Sequence, residues 1–531
     1  MYSIGNAVAA TAAASSFYLL SYVIYNLFVH PLKSFPGPKL WAASRIPMTY
    51  YRVTGKLPMK IKELHDQYGD AVRVAPNFLE YNSSAAFEDI YGFVKGHHKK
   101  NFEKNLAERG TPPNQPLNIV TSGGDFHRRL RRVQTHAFSD KALTSQEPLI
   151  QEYARDFISG LIKFSSLTSD NSIDLGKWYN FTTFDLIGDL AFGESFNCVE
   201  TGKMHPWIEL IFKILSIDPI MNELRHYPFF AYIVDLFLPQ KMVNSFLEHR
   251  KLSGEKAERR MDSKQERPDF MSYILKHNDT EKGMTRDEIR ENANILIIAG
   301  SETVLHPLIP RFVSNSTDTN KTATLLNGVT YYLLQNPTVL QNLTVEMRST
   351  FKTQKDLTLH SLAACKYLGA VLEEALRMYP PVPTSLPRIV PEEGGVIAGE
   401  FVPAGATVGV SYYAAHYSAK NFHLPEEFHP ERWLSVEDVE ELKTTYPDMK
   451  LINPTIFEND DKKAKQPFSL GPANCIGKNL AYAEIRTLLG NVIWSFDLEA
   501  GEGFNTWLER NKMFVVWVKP ELWVKLKRVN V

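Results

Sequence analysis

Apolar and polar positions divide the chain into a short lipid-like end and a long body of mixed periodicity. From Ile4 to Val29 no side chain is charged, and the run passes through Ala7, Val8, Ala9 and Ala10 to Phe17, Leu19, Leu20, Val23, Ile24, Leu27, Phe28 and Val29. At about 1.5 Å per residue, a helix of this length crosses a bilayer core with some tilt. Tyr18, Tyr22 and Tyr25 suit a membrane interface. A cleaved leader and a buried helix are the alternatives, but no basic residue precedes the run, as a leader requires. Residues 1–29 are therefore predicted to be an uncleaved transmembrane anchor, and no second span of like length and purity follows. Pro31, Pro36 and Pro38 stop the helix, so residues 30–40 are expected to form a stiff proline-rich hinge. Lys33, Lys39 and Arg45 follow the anchor while no Lys or Arg precedes it, which places the body in the cytoplasm.

Within the body, Leu57, Ile61, Leu64 and Tyr68 recur at helical spacing and predict a helix over 57–68. Val72–Val74 and Phe78–Tyr81 read as short strands joined by Pro76 and Asn77. A strongly basic helix starts within 125–143, carrying His127, Arg128, Arg129, Arg131 and Arg132. Helical patterns dominate from there to about residue 380. Residues 381–411 switch to short strands broken by Pro and Gly, 425–474 to loop, 476–494 to helix, and 513–518 to strand. The expected fold is mainly α with small β-sheets contributed by both ends, in one large domain over 41–531, without internal repeats.

Composition narrows the function classes. The 531 residues carry 59 Lys and Arg against 60 Asp and Glu, a formal charge of -1, which gives no sign of a nucleic-acid partner. Hydrophobic residues at 44% permit a large core. Three cysteines, Cys198, Cys365 and Cys475, are too few for a disulfide-built scaffold and leave thiols for chemistry.

Cys475 stands out. It lies in Pro467-Phe468-Ser469-Leu470-Gly471-Pro472-Ala473-Asn474-Cys475-Ile476-Gly477, a Gly/Pro turn running into a helix. Unpaired amides and the dipole at a helix start stabilise a thiolate, and such a thiolate is a candidate axial ligand for haem iron. Gly471 permits a tight turn, and Gly477 permits close approach of the backbone to a flat cofactor. Spacing alone leaves a structural cysteine beside a turn as the alternative.

This segment resembles the haem-binding loop of the cytochrome P450 family, Phe-x-x-Gly-x-Arg-x-Cys-x-Gly, with Phe468, Gly471, Cys475 and Gly477 in place. Ala473 departs from the pattern. The family's Arg there pairs with a haem propionate, so the departure bears on propionate anchoring and not on iron ligation. Glu374 and Arg377 match the family's Glu-x-x-Arg, and Arg432 in Pro430-Glu431-Arg432-Trp433 completes its charge network, a structural role. By the same resemblance His127 and Arg131, four apart on one helix face, contact a propionate, as does Arg388. Arg128, Arg129 and Arg132 form a basic face for an acidic electron donor or for solvent. Residues 180–194 resemble a helix-packing segment of fungal members, and Pro383 to Leu386 line the substrate cavity by analogy.

Met284 to Gly300 has helical periodicity, with Ile289, Ala293, Leu296 and Ile297 on one side, and runs into Ala299-Gly300-Ser301-Glu302-Thr303. This resembles the family's Ala-Gly-x-Asp/Glu-Thr element, in which Thr303 would hydrogen-bond the oxygen and Glu302 relay protons. Taken in isolation, Gly300 could equally kink a core helix. The continuation departs from the family. Its next stretch, Thr322-Ala323-Thr324-Leu325-Leu326, is displaced by eighteen residues, Val304 to Lys321, which include Pro307, Pro310 and a polar string from Ser314 to Asn320. Such a segment cannot continue a buried helix. Eighteen codons are 54 nucleotides, every Val codon begins GT, and one Lys codon ends AG, so the segment reads as a retained intron or gene-model error. A genuine surface insertion is the alternative.

The resemblance covers nearly the whole chain. It implies a haem-thiolate monooxygenase holding haem b on Cys475, reduced by NADPH through a cytochrome P450 reductase, with cytochrome b5 as an auxiliary donor. It implies a single-pass endoplasmic reticulum protein acting on a small hydrophobic substrate, a terpenoid or polyketide of fungal secondary metabolism. The rival readings are a haem protein impaired by residues 304–321, a redox-neutral isomerase or dehydratase of the same fold, and a membrane scaffold with a structural cysteine.

Overall fold

The structure, a computed structural model, describes residues 2–93, 101–108, 117–207, 223–227, 240–263, 265–278, 283–301 and 324–529. It is mainly helical with small sheets, as the sequence predicts. Helix α1, Tyr2–Ile24, continues as a π-helical turn, Tyr25–Val29. Gly5–Val29 is long and apolar enough to cross a membrane, and its most apolar stretch is not buried.

The proline segment after it is more tightly held than a hinge. Asn26 is buried and donates from Nδ2 to the Ala43 carbonyl at 3.0 Å, while its own carbonyl accepts from Arg73 at 2.9 Å. Leu32 and Phe35 are buried in an apolar cluster with Leu79 and Tyr81. Gly37 has φ +154°, and a Cβ there would lie 2.6 Å from the Arg73 carbonyl oxygen, so only glycine lets the strand pass. The prolines fix the path and Arg73 fastens it to the body.

A five-stranded sheet follows: β1 (Ala71–Ala75), β2 (Phe78–Tyr81), β3 (Glu103–Lys104), β4 (Arg388–Ile389) and β5 (Thr407–Val410). Their order is β1-β2-β5-β4-β3, with β2 and β5 parallel and the other pairs antiparallel. Both ends of the chain thus build one sheet, as expected. Its register sets Lys104 opposite Arg388. A second sheet places Trp523–Arg528 between Ser172–Asp174 and Phe496–Ala500.

The basic helix α2, Gly124–Thr135, is shorter than 125–143. A 3-10 turn over His136–Phe138 intervenes, and Ser139 caps the next helix, α3 (Asp140–Ser165), by accepting from the Ala142 N–H. Helix α4, Leu175–Phe192, is buried all round except at Lys177 and Asp189, which gives 180–194 the packing role expected of it. Helix α5, Arg286–Ser301, buries Ile289, Ala293, Leu296 and Ile297 as predicted. Helix α6 spans Thr324–Gln335. Helices α7, Lys366–Met378, and α8, Lys478–Ser495, complete the core around the cysteine loop. The stretch 425–474 contains a helix that its prolines hide, Val436–Thr445, opened by a Ser435/Asp438 capping box.

Candidate active site

The cysteine loop folds back on itself before α8. The Cys475 N–H donates to the Phe468 carbonyl at 2.8 Å, closing the loop. Gly471 has φ +66°, and a Cβ there would lie 2.1 Å from the Tyr91 carbonyl oxygen, so this turn excludes every other residue. Gly477 caps α8. Around a Cβ built on Gly477 the nearest atom is Cε1 of Phe138, 3.9 Å away, so that face is open.

Cys475 is exposed, the one of the three cysteines that is. Burial pushes the thiol up, while a Gly477 N–H, Arg131 and Lys478 pull it down, and burial prevails. The amides at the helix start act in the expected direction without ionising the thiol by themselves. A coordinating cation reverses that balance. Cys198 and Cys365 are buried, and burial pushes both thiols up to about 12, which leaves them inert.

Beside the loop lies a cavity of about 310 Å³. Its walls include Tyr91 and Phe102, the strand residues Lys104 and Arg388, the α2 residues His127 and Arg131, and Ala473. The three propionate candidates of the sequence therefore converge on one space, and the departure at 473 sits on its wall. His127 is buried, and burial with the charges of Lys104, Arg131 and Arg388 lowers its imidazole to about 4, keeping it neutral at pH 7. Arg131 lays its guanidinium along Asn474, donating to the peptide oxygen and, at 2.7 Å, to Oδ1. It thereby braces the residue before Cys475. Arg388 is 7% exposed and stacks over Tyr91 at 5.4 Å. Its guanidinium donates a long hydrogen bond to the Phe102 carbonyl at 3.4 Å, and among the described residues its Nε has no partner. Burial pulls its guanidinium down. A buried cation so poorly satisfied is costly unless an anion joins it.

Behind the loop, Glu374, Arg377 and Arg432 form the expected network, wholly buried. Glu374 accepts from Arg377 at 2.9 and 2.7 Å, from Arg432 at 3.2 Å, from the His429 N–H at 3.0 Å and from the Trp433 indole at 2.9 Å. Burial pushes its carboxyl up, but the two guanidinium groups outweigh it and hold it below the usual range. Arg377 also donates to the carbonyls of His416, Pro425 and Glu427, and Arg432 pairs with Asp460, a fourth member that the motif does not name.

The basic face of α2 is partly spent inside the molecule. Arg129 is bound to Glu288 of α5 at 2.5 and 2.9 Å, and Arg128 pairs with Asp125 at 2.9 Å. Thr303 and Glu302 lie outside the described residues, as does the segment 304–321. Another charged cluster, Glu108, Glu223 and His226, has metal-ligand spacing. Arg45 and Arg52 hold both carboxylates, so the cluster is balanced without a metal.

Comparison with known proteins matches residues 36–526 to the family Cytochrome P450. The chain belongs to the cytochrome P450 family. This P450 is 42% identical over 510 residues to cytochrome P450 monooxygenase aclL of Aspergillus oryzae, covering 96% of both chains. It is 39% identical to averantin hydroxylase of Dothistroma septosporum (96% of this chain, 89% of that one) and 38% identical to trichothecene C-15 hydroxylase of Fusarium sporotrichioides (99% of both). It is thus an enzyme of the fungal secondary-metabolism type. Family membership implies a haem-thiolate cofactor and electrons from NADPH, and the P450 residues described above fit such a cofactor. The thiol is exposed, a glycine face is free, and a cavity lined by His127, Arg131 and Arg388, whose buried Nε has no partner among the described residues, lies alongside.

Proposed function

We propose that this P450 is a monooxygenase that hydroxylates a small apolar terpenoid or polyketide, with Cys475 as the residue that would bind the iron of haem b. The observation that carries the reading is the exposed Cys475 on a loop whose Pro472 and Ala473 line the same cavity as His127, Arg131 and Arg388. Haem on a thiolate supplies activation of dioxygen and transfer of one oxygen atom. The chain's own residues supply the rest. Arg388 and Arg131 hold the cofactor's carboxylates by charge, and neutral His127 donates a hydrogen bond from its ring N–H. Phe468, Gly471 and Gly477 shape the loop under Cys475. Glu302 would hold and pass a proton on its carboxyl toward Thr303 Oγ1 in this reading. The names of the averantin and trichothecene hydroxylases support hydroxylation as the reaction. The anchor at residues 1–29 supports an endoplasmic reticulum membrane location with the body in the cytoplasm. A P450 reductase and cytochrome b5 are the electron donors in this reading.

The test is the carbon monoxide difference spectrum of the reduced, detergent-purified chain. A strongly red-shifted Soret band that disappears in Cys475→Ser is the expected result. Absence of the band from the full chain, and from a chain lacking residues 304–321, overturns the reading. Recovery of the band on deletion assigns the impairment to that segment. One observation favours this second reading: α5 and α6, which flank the segment, both pack against α4, as the two halves of one helix would. Transcripts spliced between codons 303 and 322 are expected, and a majority carrying all 54 nucleotides refutes the retained-intron reading.

A further inference from the structure

A buried amide pair joins helices α2 and α5. Asn292 of α5 and Gln134 of α2 are both wholly buried. Asn292 Oδ1 accepts two hydrogen bonds, from the Ile119 N–H at 3.0 Å and from Gln134 Nε2 at 2.9 Å. Its Nδ2 donates to the Glu288 carbonyl, one turn back on α5, at 2.7 Å. A backbone N–H only donates and a carbonyl only accepts, so the Asn292 amide has a single orientation. The Ile119 N–H turns toward it because Asn118 folds the loop, accepting from the N–H groups of Val120 and Thr121. One side chain thus pins three elements: α5, α2 and the loop that enters α2.

Gln134 Nε2 is committed to Asn292, and among the described residues its Oε1 has no partner. A buried acceptor left without a donor costs stability, so Gln134 is a poor choice for a scaffold role alone. What the pair secures is placement. One turn earlier on α2, Arg131 forks onto Asn474, the residue before Cys475. Helix α2 is therefore bonded on one side to the cysteine loop and on the other to α5, which leads into Glu302 and Thr303. The other tie between the two helices, Arg129 to Glu288, is part-exposed and weakened by solvent. The amide pair lies in the interior, where hydrogen bonds are stronger.

We propose that Asn292 and Gln134 are positioning residues: through α2 they set the distance between α5 and Cys475, and with it the room for a ligand on the iron. The inference rests on the haem-thiolate reading above.

Imidazole binding to the ferric, haem-loaded full chain, followed by the Soret shift, tests it without turnover. Gln134→Leu removes the link together with its orphaned acceptor. Its unfolding midpoint is therefore expected to stay within about 1 °C, while the imidazole dissociation constant changes about threefold or more. Asn292→Leu strands two buried donors. It is expected to lower the midpoint by about 2–4 °C and to change the dissociation constant in the same direction. Adding Gln134→Leu to Asn292→Leu should then change it by less than about twofold. An unchanged dissociation constant in Gln134→Leu overturns the inference. So does an undiminished Gln134→Leu effect in the Asn292→Leu background, because Gln134 then acts through another contact. A midpoint that falls as far in Gln134→Leu as in Asn292→Leu assigns the pair to stability and overturns it too. If the unmodified chain, with and without residues 304–321, takes up no thiolate-ligated haem, the reading of the site falls, and the inference with it.

Discussion

Two groups of buried charge flank the cysteine loop, and they are built on opposite principles. Behind it, Glu374, Arg377, Arg432 and Asp460 neutralise one another, and carbonyls and an indole take up the remaining bonds. Beside it, Arg131 and Arg388 line a cavity whose described residues include one carboxylate, Glu103, and among the described residues the Arg388 Nε has no partner. The first group is complete within the chain, whereas in the proposed reading an anionic guest completes the second at Arg388. Desolvation acts on both, but only the first recovers its cost from its own residues. A closed network therefore marks scaffold, and an open one of a single sign marks a binding site.

The comparison breaks most visibly at Glu374. Glu374→Gln leaves two buried guanidinium groups short of a counter-charge and is expected to destabilise the fold by about 3–5 kcal/mol. Thermal or denaturant unfolding should show this equally with and without haem. A mild loss that appears only in the loaded protein would move this network into the binding site.

The next effect is a pH dependence. His127 is lowered to about 4 from an ordinary 6.5, so between those values the unfolded chain binds a proton that the folded one refuses. Stability is therefore full above about pH 6.5 and falls as pH drops toward 4, by about 3 kcal/mol across the window. Haem carboxylates beside His127 pull its pKa back up and narrow the loss. Unfolding of apo and loaded protein at pH 7, 6 and 5 checks this. Equal slopes in the two forms would separate His127 from the carboxylates.

Arg388→Met should distinguish the two groups by sign. Removing an unsatisfied buried cation is expected to leave the apo chain as stable or more so, because the desolvation cost disappears with it. Haem loss should nevertheless speed up about tenfold. A marked drop in apo stability would show that Arg388 belongs with the closed network.

How much of this was legible in the sequence depends on how local each signal is. Cys475, Gly471, His127, Arg131 and the Glu374–Arg377 pair are set by spacing within a single loop or helix, and each sits on the loop or helix that its spacing predicts. The helical majority and the short strands at 72–74, 78–81 and 381–411 were legible for the same reason. What escaped depends on partners distant in the chain. Asp460 joins the Glu374 network from a loop without periodicity. Arg129 reads as surface charge until folding brings Glu288 to it. Strand Trp523–Arg528 alternates charged and apolar residues too close to the terminus to stand out. The Val436–Thr445 helix did carry a local sign, the Ser435/Asp438 box, masked by the surrounding prolines.

Arg131 belongs to both sides of the comparison, which makes it the most delicate test. Its fork fastens Asn474, a scaffold task, while its charge lines the cavity, a binding task. Lysine keeps the charge and loses the two-pronged geometry. Arg131→Lys should therefore weaken haem retention only a few-fold, about 1 kcal/mol or less. Asn474→Ala should do the same by removing the side-chain half of the fork while leaving the cavity charge in place. If the fork is the shared cause, the double variant is no worse than either single one. If the two effects add, Arg131 acts on the guest by charge alone, and its bond to Asn474 contributes nothing to holding Cys475 in place.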